Sequence, residues 1–152
     1  MKIGIACDHG AFHLKELLKD YLSEKYEVLD FGTDSLESCD YPTFGIACAE
    51  ATKNALCEFG IVICTSGEGI MISANKVRGI RCGLAYNKEV AALMRQHNNC
   101  NMIAIGAKYT SFDDAKEYVD TFLTTEFEGG RHARRVDIIN FYEEQRQDIK
   151  KL

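Results

Sequence analysis

The sequence predicts an α/β protein of the doubly wound, Rossmann-like type: a five-stranded parallel sheet with helices on both faces, three layers in α/β/α order. Two observations predict it. Five short segments, 3–7, 26–31, 60–64, 80–84 and 101–106, are mostly apolar, as strands covered on both faces must be. Between them lie segments whose apolar residues recur at helical spacing, and such crossovers are what parallel neighbours require.

The elements follow in order. Residues 3–7, IGIAC, form a strand that stops at the polar pair Asp8-His9 and a Gly. A helix follows, with Leu14, Leu17, Leu18, Tyr21 and Leu22 on its inner face. Residues 26–31 are the second strand, and Asp40-Tyr41-Pro42 opens a helix carrying Phe44, Ala47, Cys48 and Ala51 inward. GIVIC at 60–64 is the most buried-looking strand and runs into TSGEG, then a helix from about Ile70 to Lys76. Strand 80–84, a helix around 87–96, strand 101–106 and a helix marked by Ala115, Tyr118, Val119, Phe122 and Leu123 complete the alternation. A final helix spans about 131–145 and ends in a charged tail.

At 152 residues the chain is expected to be a single domain, 1–152, with neither repeat nor linker. Hydrophobic residues at 46%, charged residues at 27% and a single Pro exclude a disordered or collagen-like chain. The net charge of −5 argues against nucleic acid or anionic lipid as a partner, so any anion must be held by a local site. No apolar run reaches membrane-span length, and MKIGIACDHG lacks the form of a signal peptide; a cytoplasmic protein is expected. Its seven cysteines are odd in number and show no CxxC spacing, so they read as reduced thiols, most of them small core residues.

In a doubly wound fold, ligands sit beyond the carboxyl ends of the strands, which places Asp8-His9 and Cys64 to Gly69 on the ligand rim. The loop Cys64-Thr65-Ser66-Gly67-Glu68-Gly69 joins a buried strand to a helix, so backbone N–H groups converge where an anion can be held. It is neither a Walker loop nor a GxGxxG loop, and by spacing alone a tight turn without ligand is an equal reading. The thiol at its start makes Cys64 a candidate nucleophile or base. Asp8-His9 taken alone reads as a helix-capping pair, and His97 as a favourable charge at a helix C-terminus. Residues 131–135, RHARR, concentrate three Arg and a His in an acidic protein, which suits a phosphate although a solvated helix start has the same look.

In combination, the motifs CDHGAFHLK, DYP, CTSGEGIMISANKVRGIR, RQHNNCNMIAIG and EGGRHARRV resemble type B ribose-5-phosphate isomerase, within the ribose and galactose phosphate isomerase superfamily. The resemblance runs from Lys2 to beyond Arg135. It implies an aldose–ketose isomerisation of ribose 5-phosphate and ribulose 5-phosphate through a cis-enediolate, without metal or cofactor, in a homodimer or homotetramer with the last helix at the dimer interface. It further implies Cys64 as the base, Ser66 as a proton shuttle between O1 and O2, and the amides of Thr65, Gly67, Glu68 and Gly69 as the enediolate cradle. His97 matches the ring opener, with Asp8 and Tyr41 nearby and Asn98 on sugar hydroxyls. His9, Arg131, His132 and Arg135 match the hydroxyl and phosphate end of the ligand. Ile70 stands where one branch carries a Glu base, leaving Cys64 alone in that role, and Lys108 stands where some members carry a phosphate-binding Arg. Three alternatives stay open: a hexose-phosphate isomerase acting on allose 6-phosphate or galactose 6-phosphate, a flavodoxin-like module that binds phosphate or nucleotide without chemistry, and a thiol redox sensor built on Cys64.

Overall fold

The computed structural model describes residues 1–148 of the chain. Five strands, β1 (Lys2–Cys7), β2 (Glu27–Asp30), β3 (Phe59–Cys64), β4 (Cys82–Leu84) and β5 (Met102–Gly106), form one parallel sheet in the order β2-β1-β3-β5-β4. Six α-helices lie between and after them: α1 (Phe12–Ser23), α2 (Tyr41–Lys53), α3 (Glu68–Asn75), α4 (Lys88–Gln96), α5 (Phe112–Thr124) and α6 (Arg131–Asp148). The predicted three-layer α/β/α fold is therefore the observed one.

The strand period of two divides the core into two slabs. Ile3, Ile5 and Cys7 of β1, Ile61 and Ile63 of β3, and Ile103 and Ile105 of β5 pack against α1, α4 and α5. Ala6, Val62, Cys64, Met102 and Ala104 face the other way, against α2 and α3. Cys64 thus lies on the α2–α3 side of the sheet, at the last residue of its central strand. Among the described residues, no helix is long and apolar enough to cross a membrane.

Several local expectations shift. Leu17 is exposed at 48%, and Lys15 takes a place inside, fully buried. In α2 the inner face is Gly45, Cys48, Ala49, Ala51 and Thr52, with Phe44 and Ala47 only half-buried. Helix α3 starts at Glu68, two residues early, because Gly67 in the left-handed region (φ +80°) turns the chain straight into it. Helix α6 runs to Asp148 rather than 145, and the rest of the charged tail lies outside the described residues.

Lys15 shows why burial of a charge escapes periodicity. Its Nζ donates to both carboxylate oxygens of Asp30 (3.0 and 2.7 Å) and to the Thr33 carbonyl (2.7 Å), tying α1 to the end of β2. Burial alone would raise the Asp30 carboxyl pKa, but the bonds from Lys15, the Gly32 N–H and Lys19 outweigh it and hold Asp30 below the usual carboxylate range. Lys15→Ala leaves Asp30 and a buried carbonyl short of a partner and should cost about 3 kcal/mol, read by urea unfolding. With the folded pKa depressed, the contribution is complete above roughly pH 4 and is lost as pH falls through the folded value. The difference between wild type and variant should accordingly shrink in acid.

Candidate active site

Strand β3 delivers Cys64, 5% exposed, to the carboxyl edge of the sheet. Beyond it Thr65 and Ser66 are exposed and Gly67 caps α3. The Gly67 N–H donates to Cys64 Sγ at 3.2 Å, and the Glu68 N–H donates to Ser66 Oγ at 3.2 Å. Only glycine fits at 67: besides its positive φ, a Cβ there would lie 2.6 Å from Leu84 Cδ1 and 2.9 Å from the carbonyl carbon of Ile105. Gly106 ends β5 directly beneath the loop, where a Cβ would sit 2.5 Å from the Ser66 carbonyl oxygen. The thiol, the Ser66 hydroxyl and the first N–H groups of α3, which have no intrahelical acceptor, thus share one rim. Burial pushes the Cys7 thiol up to about 12 and the Cys100 thiol up to about 11, so these core thiols stay protonated and inert.

The loop after β1 meets this rim. Asp8 is buried and accepts the Gly10 N–H at 3.0 Å, which caps a short 3₁₀ turn as its motif alone suggested. A Cβ at Gly10 would stand 2.5 Å from Thr65 Oγ1, so the two loops touch. The Cys39 N–H donates to His9 Nδ1 at 3.2 Å, which makes Nδ1 the acceptor and places the proton of a neutral ring on Nε2. Tyr41, the first residue of α2, lays its ring over Gly69, where a Cβ would fall 2.6 Å from Cζ. The β1 loop with Asp8 thus meets the Cys64–Gly69 loop at Thr65, and Tyr41 meets it at Gly69, while His9 is tied to Cys39 in the segment before α2. A cleft beside them runs from Ser66 and Glu68 to Tyr86 and Tyr109. Lys108 is on this rim too, its N–H donating to the Thr65 carbonyl at 3.1 Å.

The remaining candidates sit elsewhere. His97 is the C-cap of α4, its N–H donating to the Leu93 carbonyl at 2.8 Å, and Asn98 and Asn99 turn the chain back into β5. His132, at the start of α6, is 5% exposed and stacks on His97 with ring centroids 4.1 Å apart and an interplanar angle of 10°. Burial, then His97 and Arg131, push the His132 imidazole below its usual pKa. Arg131 and Arg135 are exposed on the same turn. His132, which the resemblance matches with the hydroxyl and phosphate end of the ligand, packs its ring on His97. In the sheet, Cys64 pairs with Gly106, the last residue of β5, whereas His97 precedes the first, Met102. A five-residue strand is about 17 Å long, so the two candidates occupy opposite edges of one sheet.

Two positioning residues were not legible in advance. Arg81 donates through Nε to the Asn98 carbonyl (3.0 Å) and through Nη2 to the Asn99 carbonyl (2.8 Å), and through Nη1 to Asn140 of α6 (3.2 Å). Arg95, buried, donates to Asn99 Oδ1 (3.0 Å) and to the Thr125 carbonyl (3.2 Å). Together they fix the His97 turn against α6 and the end of α5. Both lie within the motifs given above, Arg81 half-buried and Arg95 buried, but nothing in composition or periodicity marks either as the clamp of a turn.

Comparison with known proteins covers the same span. The sequence pattern of the Ribose/Galactose Isomerase family matches residues 3–139. Ribose-5-phosphate isomerase B of Escherichia coli (strain K12) is 41% identical over 146 residues, 95% of this chain and 98% of that protein. The structure of Clostridium thermocellum ribose-5-phosphate isomerase B superposes with a TM-score of 0.94 at 49% identity, covering 95% of this chain and 99% of the other. Mycoplasma genitalium ribose-5-phosphate isomerase B, solved with bound ribulose 5-phosphate, superposes at 0.89 with 37% identity, covering 94% and 96%.

Proposed function

The chain belongs to the ribose/galactose isomerase family, and from that premise we propose that it interconverts ribose 5-phosphate and ribulose 5-phosphate with Cys64 as the base. The reaction moves one proton between C2 and C1 and needs a base over those carbons, donors for the enediolate oxygens, an acid to open the ring and a phosphate clamp. Cys64 takes the C2 proton and returns it to C1. The N–H groups from Thr65 to Gly69 receive the charge on O1 and O2, and Ser66, exposed beside them, passes the hydroxyl proton between the two oxygens. His97 protonates the ring oxygen as the furanose opens, Asp8 and Tyr41 flank the sugar, and His9, Asn98, Arg131 and Arg135 hold hydroxyls and phosphate, with His132, stacked on His97, at the same end.

The observation that carries this reading is the Gly67 N–H on Cys64 Sγ, which sets the thiol beside the N–H groups at the start of α3 and supports a base and an oxyanion site on one rim. A binding module without chemistry has no use for a thiol there. The test is turnover of ribose 5-phosphate in the presence of a chelator, alongside allose 6-phosphate and galactose 6-phosphate. Turnover of the pentose is expected to lead, and no turnover of any sugar phosphate would sink the enzyme reading.

The opposite-edge placement bears on assembly. Cys64 and His97 can serve one substrate only if they come from different copies, and a two-fold homodimer makes two such shared sites. Helix α6 supports it: the helix touches the body through His132 on His97, Val136, the Arg81–Asn140 bond and the Glu143 carboxylate on the Gly79 N–H, and leaves Ile138, Ile139, Phe141 and Tyr142 more than half exposed. Apolar side chains in such a row fit an interface between copies of one domain. Seven free thiols suit a reducing compartment such as the cytoplasm.

Arg131→Ala and Arg135→Ala should each raise KM about tenfold or more with a smaller change in kcat, because a guanidinium fork binds phosphate in the ground state and the transition state alike. Inorganic phosphate should compete with substrate in the wild type and compete less in the variants. Unchanged KM in both would assign the cluster to solvent.

A further inference from the structure

We propose that His97, Glu128 and His132 form a site for one borderline divalent cation, of the Zn²⁺, Co²⁺ or Ni²⁺ class, and that an ion bound there inhibits the isomerase. The binding claim stands on geometry alone; the inhibition rests on His97 as the ring opener.

One nitrogen from each imidazole and one carboxylate oxygen of Glu128 lie within 4.8 Å of one another. The second observation is His132 Nε2, which is buried and has no hydrogen-bond partner. Glu128 Oε2, at 3.6 Å, is beyond bonding distance. A buried nitrogen left bare is costly, and the 3.6 Å between it and the Glu128 carboxylate is too long for a hydrogen bond but the right span for one cation bound to both. The backbones that carry the three groups are fixed to each other. His97 N–H is held by the Leu93 carbonyl, Glu128 N–H by the Gln96 carbonyl at 3.1 Å, and His132 N–H by the Gly129 carbonyl at 3.0 Å.

Ligand atoms about 2.1 Å from a tetrahedral ion stand roughly 3.4 Å apart. The His132–Glu128 pair is already near that at 3.6 Å, and no pair, at 4.8 Å or less, must close by more than about 1.4 Å. Side chains alone can do this. The near-parallel rings have to fan apart so that their lone pairs converge, and the Cβ–Cγ torsion of His is broad. Glu128 is half-exposed and free to swing. Two nitrogens and one oxygen select a borderline ion over Mg²⁺ or Ca²⁺, which take oxygen shells. Three protein ligands leave one position for water. Arg131 and Arg135 on the same turn oppose a dication, so the ion is held reversibly and more weakly than in a closed structural site. Once bound, it occupies the lone pair with which His97 would take and give a proton.

The experiment is a Co²⁺ titration of the intact, reduced protein followed by visible absorbance and equilibrium dialysis, with Glu128→Gln and His132→Asn in parallel. One Co²⁺ per chain is expected, with the weak bands of nitrogen and oxygen ligation and without the intense near-ultraviolet band of a thiolate ligand. Both variants should lose it, while Glu128→Gln, whose side chain has no part in the reaction, keeps its turnover. Zn²⁺ should then inhibit the wild type at concentrations that leave Glu128→Gln active. Absence of binding, a thiolate band, or unchanged binding in Glu128→Gln would overturn the site. Binding that is lost in Glu128→Gln but leaves wild-type turnover untouched would overturn the inhibition and the role given to His97, and would leave the metal site standing.

Discussion

Cys64→Ala should lower kcat by about 10³- to 10⁴-fold while KM stays within a few-fold of wild type. A positioned general base contributes on that order, and it acts only in the transition state. Ground-state binding is assigned to Arg131 and Arg135, at the other edge of the sheet, and to loop amides that the substitution leaves in place. The Sγ accepts one N–H, from Gly67, and Gly67 is also held through its carbonyl, which accepts the Met71 N–H at 3.1 Å, so the loop should keep its shape without the sulfur. Exchange of the C2 hydrogen of ribose 5-phosphate with solvent should vanish together with turnover, because both need the same proton transfer. Alkylation of the wild type should inactivate it, with substrate protecting. A Cys64→Ala enzyme with near-normal turnover would require another base; the neighbouring candidate position is filled by the buried Ile70, which cannot serve.

The architecture was readable because a sheet covered on both faces leaves a strong trace in sequence. Segments such as Ile61-Val62-Ile63 can only be interior, and the helical periods between them locate the crossovers. The rim at Cys64 was readable for the same reason, since the strand end fixes where its loop must lie. What could not be read depends on pairs distant in the chain. Lys15 goes inside because Asp30 and the Thr33 carbonyl await it, and Leu17 comes out in exchange. Arg95 is buried because two carbonyls and Asn99 receive its guanidinium, which no helical period records. His132 looked like part of a cationic patch, but the turn at Gly129 and Gly130, both at positive φ, folds it back onto His97.

The central claim is that one active site takes Cys64 from one copy and His97 from the other. Cys64→Ala and His97→Ala should each be nearly inactive as pure dimers, since each lacks one member of both sites. Unfolded, mixed in equal amounts and refolded together, they should form about half mixed dimers, each with one intact site and one doubly damaged, so roughly a quarter of wild-type activity should return. Wild-type-like KM in the recovered activity would show that the restored sites are whole. No recovery, with mixed dimers confirmed by native mass spectrometry, would contradict the shared site and leave His97 as the cap of its own helix.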